Sequence, residues 1–159
     1  MADGETSYHE TLLLYYEEEV MGVAYFLGLA DHIGGDGVRE KLELLAAVEH
    51  RAAELTRPLL DKYGLEPRDE PELVALGRSH VARHQDLSWP EFVAHMAERY
   101  PAYVDMFEAL ERMAPADDRP ALGALTRHEV AAIDFANLEI AGEADSTAPL
   151  RDYIDTPAP

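Results

Sequence analysis

Four apolar-periodic segments of nearly equal length constrain this chain more than any other feature. In each, large apolar residues recur at spacings of three and four, the repeat of one face of a helix. The first face reads Leu12, Tyr16, Glu19, Val23, Phe26, Ala30 and the second Leu42, Leu45, Glu49, Ala52, Thr56, Leu60, Tyr63. The third reads Phe92, Met96, Tyr100, Tyr103, Phe107, Leu110 and the fourth Leu122, Leu125, Glu129, Ala132, Ala136, Ile140. At about 24 to 27 residues each, these are rods of roughly 36–40 Å. Matched rods bury their stripes against one another as a bundle. No alternating β-branched run bounded by hairpin turns competes, so the fold class is all-α.

Punctuation between the rods sets the topology. Ser7 and Glu10 form a capping-box pattern at the first start, and Gly34-Gly35 ends that segment. Asp36 stands as N-cap of the second helix and Gly64 as its stop. Ser88-Trp89-Pro90-Glu91 opens the third with a capping box, and Pro101 should kink it or split it. Asp117, Asp118 and Pro120 open the fourth, Gly142 closes it, and a short helix is expected near Pro149 to Ile154 before a disordered Thr156–Pro159. The first and third links are short, which makes antiparallel hairpins of helices 1–2 and 3–4. The middle link, 65–88, is long enough to run the length of the bundle, with a weaker helical pattern from Glu72 to Leu87. The expectation is a single domain over 1–159: a bundle over about 8–142, then a short helix and tail over 143–159.

Charge and composition remove whole function classes. Lys and Arg number 13 against 32 Asp and Glu, a formal net charge of −19. No basic stripe is present for phosphate neutralisation, which excludes nucleic acid as partner. Only Lys41 and Lys62 are lysines, so no polybasic membrane tether exists either. The absence of cysteine excludes disulfides, thiolate metal sites and a Cys nucleophile. The longest apolar run, Val20–Ala30, holds two glycines and falls short of a membrane span. The opening MADGETSYHE has neither a basic nor an apolar leader region, and the expected location is cytoplasmic.

The chemical oddity is a carboxylate at the centre of three apolar faces: Glu19, Glu49 and Glu129. An isolated buried carboxylate is expensive and must neutralise or find a partner. Three converging in one bundle must share protons, a metal ion or a cation. Glu17 and Glu18 read as the solvated flank of the same turn. His50 and His128 each adjoin a central glutamate, but neighbours on a helix point about 100° apart. That places them at helix seams beside an acid, or as added ligands if a metal is bound. His80 and His84, at i and i+4 beside Arg83, read as a partly exposed face or a zinc-type pair. Gly34-Gly35-Asp36-Gly37 is a turn, too short for a phosphate loop. Tyr16, Phe26, Tyr100 and Tyr103 are the aromatic residues expected to bound a substrate next to the glutamates.

At these residues the chain resembles the ferritin-like superfamily of carboxylate-bridged di-iron proteins. Glu19-x-x-Gly22-x-x-Tyr25-Phe26 is similar to its first-helix motif, and Glu49 and Glu129 fall where its second and fourth helices carry Glu-x-x-His. The likeness spans roughly 8–142 and includes a group of small bacterial ferritin-like proteins, through Leu-Ala-Ala-Val-Glu-His at 45–50, Trp89-Pro90 and His128-Glu129…Phe135-Ala136…Glu139…Gly142. The resemblance implies a four-helix bundle with one long crossover, a metal centre of four carboxylates and two histidines, and pairing of two copies along helices 1 and 2. The chain departs from that pattern at the histidines. Ala52 and Ala132 stand where they belong, and the third helix offers Tyr100 and Tyr103 where a bridging Glu is expected.

Three readings follow. The first is a small-molecule enzyme without a cofactor, using Glu19, Glu49 and Glu129 as acid and base in the room left by the missing imidazoles, for isomerase, lyase or cyclase chemistry. The second is an oxidase or oxygenase with iron or another divalent metal held by those glutamates and His50 or His128. The third is a non-catalytic bundle that binds a ligand or partner. A homodimer is expected through an outward stripe of Leu13, Val20 and Leu27 with Tyr15 on the first helix.

Overall fold

The computed structural model describes residues 2–159, with side chains from residue 4 onward, and is an all-α bundle. Its helices are α1 (Ala2–Leu29), α2 (Val38–Tyr63), α3 (Glu70–Ser79), α4 (Trp89–Met113), α5 (Arg119–Ile140) and α6 (Ala148–Ile154). Single 3₁₀ turns at Val81–Arg83 and Ala116–Asp118 lead into α4 and α5. The four long helices form a ring in which α1 packs on α2, α2 on α5, α5 on α4, and α4 closes on α1. α1 and α5 therefore face each other across the interior. Among the described residues no helix is long and apolar enough to cross a membrane.

Helix ends follow local chemistry, with three departures from the sequence reading. Ser88 does cap α4: its hydroxyl accepts from Glu91 N at 3.3 Å while Glu91 Oε2 accepts from Ser88 N at 2.9 Å. α1, however, begins before Ser7, whose carbonyl accepts from the Thr11 hydroxyl inside the helix. At α2 the cap is Gly37, with φ 72°, a left-handed start that glycine adopts without strain and Asp36 does not. α4 runs unbroken through Pro101, which lies on its exposed face.

The core faces also rotate slightly from expectation. Tyr15, not Tyr16, is buried on α1, edge-on to Phe107 at 5.2 Å. Leu13 packs against the core, so the outward stripe on α1 shrinks to Val20 and the exposed Leu27. Tyr103 and Ile140 end up exposed.

The crossover lies along α1. A Cβ on Gly77 would fall 2.2 Å from the Met21 carbonyl oxygen, so only glycine permits α3 to sit this close. Glu17 is buried rather than solvated, and its carboxylate accepts from Arg68 N at 2.8 Å and from the Arg68 guanidinium at 3.2 and 3.3 Å. α6 closes the outer side of α5 through Leu150 and Tyr153, whose hydroxyl donates to the Ala124 carbonyl at 2.9 Å.

Buried acids pin both ends of α5. Asp118 accepts from Tyr8 Oη at 2.9 Å, Tyr63 Oη at 2.5 Å and Lys62 Nζ at 2.6 Å. Glu139 accepts from Lys41 Nζ at 2.8 Å, Trp89 Nε1 at 2.7 Å and Ser146 Oγ at 2.5 Å.

Candidate functional site

Midway along the bundle, Glu19 from α1, Glu49 from α2 and His128 and Glu129 from α5 converge. His128 Nε2 stands 2.9 Å from Glu19 Oε2, 3.3 Å from Glu49 Oε2 and 3.4 Å from Glu129 Oε2. Consecutive residues on α5 reach the same point because the bundle axis bisects the roughly 100° between them. His128 is therefore a central member of the cluster, in place of the helix seam that was one of its two sequence readings.

The imidazole is held by α5 itself. Nδ1 donates to the Leu125 carbonyl one turn back, which directs Nε2 inward. Phe107 meets the ring edge-on at 5.3 Å, and Tyr153 from α6 stands 6.2 Å away. Yet Nε2 makes no hydrogen bond: it faces the space between three oxygens and is aligned with none of them. Glu19 Oε2 is also buried without a hydrogen-bond partner. Backbone clearance for Glu49 comes from Gly22, where a Cβ would stand 3.0 Å from Glu49 Cδ.

Burial splits the protonation states. It pushes Glu19 well above the usual carboxylate range, helped by the Glu49 charge and opposed by His128. It pushes Glu129 up to about 8, with the His128 charge pulling down and the Glu49 charge pushing up. Burial acts the same way on Glu49, but hydrogen bonding to Glu19 and the His128 charge outweigh it and leave that carboxyl low. On His128 burial favours the neutral ring, and the Glu19 and Glu49 charges more than reverse it. The cluster thus stores protons and a negative charge side by side.

Above it lies a cavity of about 300 Å³ reaching from Glu19, Glu49 and Glu129 to the surface. Phe26, Tyr100 and Tyr103 line it, Tyr100 buried and Tyr103 at the exposed mouth. Tyr16 and His50 do not. Tyr16 turns to Arg57, whose guanidinium lies 5.6 Å from its ring, and His50 is exposed, 3.7 Å from Glu54. Both belong to a separate groove of about 520 Å³ between α1, α2 and α3. His50 is thus removed from the ligand candidates by the outward turn of α2. His80 and His84 do not form a helical i, i+4 pair, because α3 stops at Ser79 and a 3₁₀ turn separates them. Instead both line the cavity mouth with Arg83 and His95.

Glu19, Glu49 and His128 offer donor atoms within 4.8 Å of one another. Two donors about 2.1 Å from one ion and roughly 90–110° apart stand about 3.0–3.4 Å from each other, the ligand lengths expected for a first-row divalent metal. The spacings around Nε2 match that range. The set fits one ion held by carboxylates and imidazole; it is not the four-carboxylate, two-histidine set of a di-iron centre. Compared with known proteins, the chain matches no family model, no curated protein and no solved structure.

Proposed function

We propose that this chain is an enzyme acting on a small molecule in the cavity, with a single divalent ion held by Glu19, Glu49 and His128 at its floor. The observation that carries the proposal is the convergence of Glu19, Glu49 and His128, whose donor atoms lie within 4.8 Å of one another inside the bundle. His128 Nε2 and Glu19 Oε2 stand 2.9 Å apart without an aligned hydrogen bond, and an ion between them would satisfy both. Iron, manganese and zinc suit such a mixed oxygen and nitrogen set, and a bound ion would supply Lewis-acid activation of a substrate oxygen or, for iron and manganese, redox chemistry. The protein's own part is to exclude water through Phe26, Phe107 and Tyr100, and to keep at Glu129 a proton that can be exchanged near neutral pH.

A second reading, acid–base chemistry by the glutamates without an ion, is favoured by the opposite displacement of Glu129 and Glu49. One is placed to hold a proton at pH 7 and the other to accept one. Anaerobic titration of chelator-treated protein with Fe(II), Mn(II) and Zn(II), followed by metal analysis, separates the two. The metal reading expects one ion per chain in the native protein and none in Glu49→Gln with helicity unchanged. No uptake of any of the three ions leaves the acid–base reading in its place.

A further inference from the structure

The cavity has an acidic floor but a basic mouth, and the contrast runs against the charge of the whole molecule. Arg83 is the only Lys or Arg among its lining residues. It is exposed and, like Arg78, Arg99, Arg112, Arg119 and Arg127, joins none of the ion pairs among the described residues, which leaves its guanidinium free to meet a ligand. Three of the chain's seven histidines, His80, His84 and His95, stand beside it.

These side chains are held in place. The Tyr25 phenol and His84 Nδ1 share a hydrogen bond of 2.7 Å, and the His84 and His95 rings lie 4.4 Å apart, tilted by 43°. With Tyr25 as donor, His84 carries its own proton on Nε2 and presents a donor. Burial is the largest influence on each of His80, His84 and His95 and lowers all three, with the Arg83 charge adding for His80 and His84. Glu98 acts on His95 against the Arg99 charge, but among the described residues no carboxylate pairs with Arg83, His80, His84 or His95, which leaves their donors open to an anion. A net charge of −19 repels anions from the rest of the surface, so a local basic mouth selects where one can enter.

We propose that Arg83, with His84 and His95, is the anion-binding subsite of this cavity and takes the oxyanion of a small substrate whose apolar or aromatic body lies against Tyr25, Tyr100 and Phe107. The inference rests on the reading of the cavity as a substrate site, and adds that the substrate is an organic acid carrying a carboxylate or a phosphoryl group. A guanidinium matches either one with two parallel hydrogen bonds. The anionic end is held at the mouth by Arg83, away from Glu49, the one floor carboxyl held low, which leaves the opposite end of the molecule toward Glu129. The cavity volume, near the lower end for ligand sites, suits a single substituted ring better than a long chain.

The test is calorimetric binding of benzoate, phenylphosphonate, benzamide and benzylamine to native protein, Arg83→Gln and Glu49→Gln, each with and without added Mn(II). The proposal expects benzoate or phenylphosphonate to bind at least tenfold tighter than benzamide and benzylamine. It expects that preference to vanish in Arg83→Gln, whose metal uptake stays native, and to persist in Glu49→Gln. Benzoate and phenylphosphonate indicate which oxyanion is preferred, and either result supports the subsite. No binding of either anion, binding unaffected by Arg83→Gln, or tighter binding of benzylamine overturns it. Anion binding lost only in Glu49→Gln places the anion on the metal and also overturns it. Because the metal-free arms stand alone, failure of metal uptake does not mask the result.

Discussion

Two places on α5 bury acids and treat them in opposite ways. At its start, Asp118 is 1% exposed and surrounded by donors from Tyr8, Tyr63 and Lys62. Burial raises that carboxyl, but the three hydrogen bonds outweigh it and hold it below its ordinary value. Ten residues on, the equally buried His128, with Glu129 beside it, meets Glu19 and Glu49, a group of three acceptors with one imidazole to serve them. Burial of an acid is thus not itself a sign of function. The balance of donors against acceptors separates a structural pin from a site prepared for something else.

The widest gap between the two places should appear on removing one group from each. His128→Gln should abolish metal uptake, at least a hundredfold in affinity, while the melting temperature holds or rises because crowded polar groups are relieved. Asp118→Ala should do the reverse. It leaves the Tyr8 hydroxyl buried without its acceptor, at about 3 kcal/mol or roughly 6–12 °C in melting temperature, with metal uptake intact. Parallel thermal melts and metal titrations check both; loss of metal binding in Asp118→Ala would break the distinction.

The two acids should also answer pH with opposite signs. In metal-free protein, Glu129 binds its proton up to about 8 when folded, against an ordinary value of 4.5. Between those values the folded chain keeps a proton that the unfolded chain has lost, so stability falls as pH rises. Asp118 is depressed below 3.8, so its contribution is present above that value and lost as pH falls through the folded one. Glu129→Gln should flatten the decline between pH 5 and pH 8 and leave the acid limb unchanged. Melts in chelator across pH 3 to 9 would show it, and an unchanged decline in the variant would contradict the assignment.

The smallest expected effect tests how closely the centre is fitted. Gly22→Ala sets a methyl 3.0 Å from Glu49 Cδ and 3.2 Å from its Cγ, so the carboxylate must move by a few tenths of an ångström. Metal affinity should drop about fivefold, while the helix gains up to about 1 kcal/mol from losing a glycine. Affinity equal to native would show that Glu49 has slack the other three groups lack.

Much of this was legible in the residues, and the exceptions have a common origin. The long helices, the Ser88 cap, the Gly64 stop and the central glutamates follow from periodicity and side-chain chemistry that a single segment contains. Tyr16 was chosen in place of Tyr15 because a spacing of three or four tolerates a rotation that only the neighbouring helices remove. The sequence leaves His128 between a helix seam and an added ligand because of its angle to Glu129, and that angle becomes an advantage only once the bundle axis falls between them. Glu17 looked solvated because its partner, Arg68, lies on the crossover, 51 residues away. The mouth was missed for the same reason: Arg83, His84 and His95 come together through the path of the crossover, which no periodicity encodes.

That path has a consequence for how such a protein can diversify. His80, Arg83 and His84 sit on a segment laid over α1, docked at Gly77 and tied by Glu17, outside the ring of long helices. The carboxylates and imidazole of the cluster are instead embedded in that ring, between α1, α2 and α5. Residues of 65–88 are thus open to exchange one at a time while the ring of long helices keeps its packing, and edits there should alter what the cavity admits on an unaltered frame.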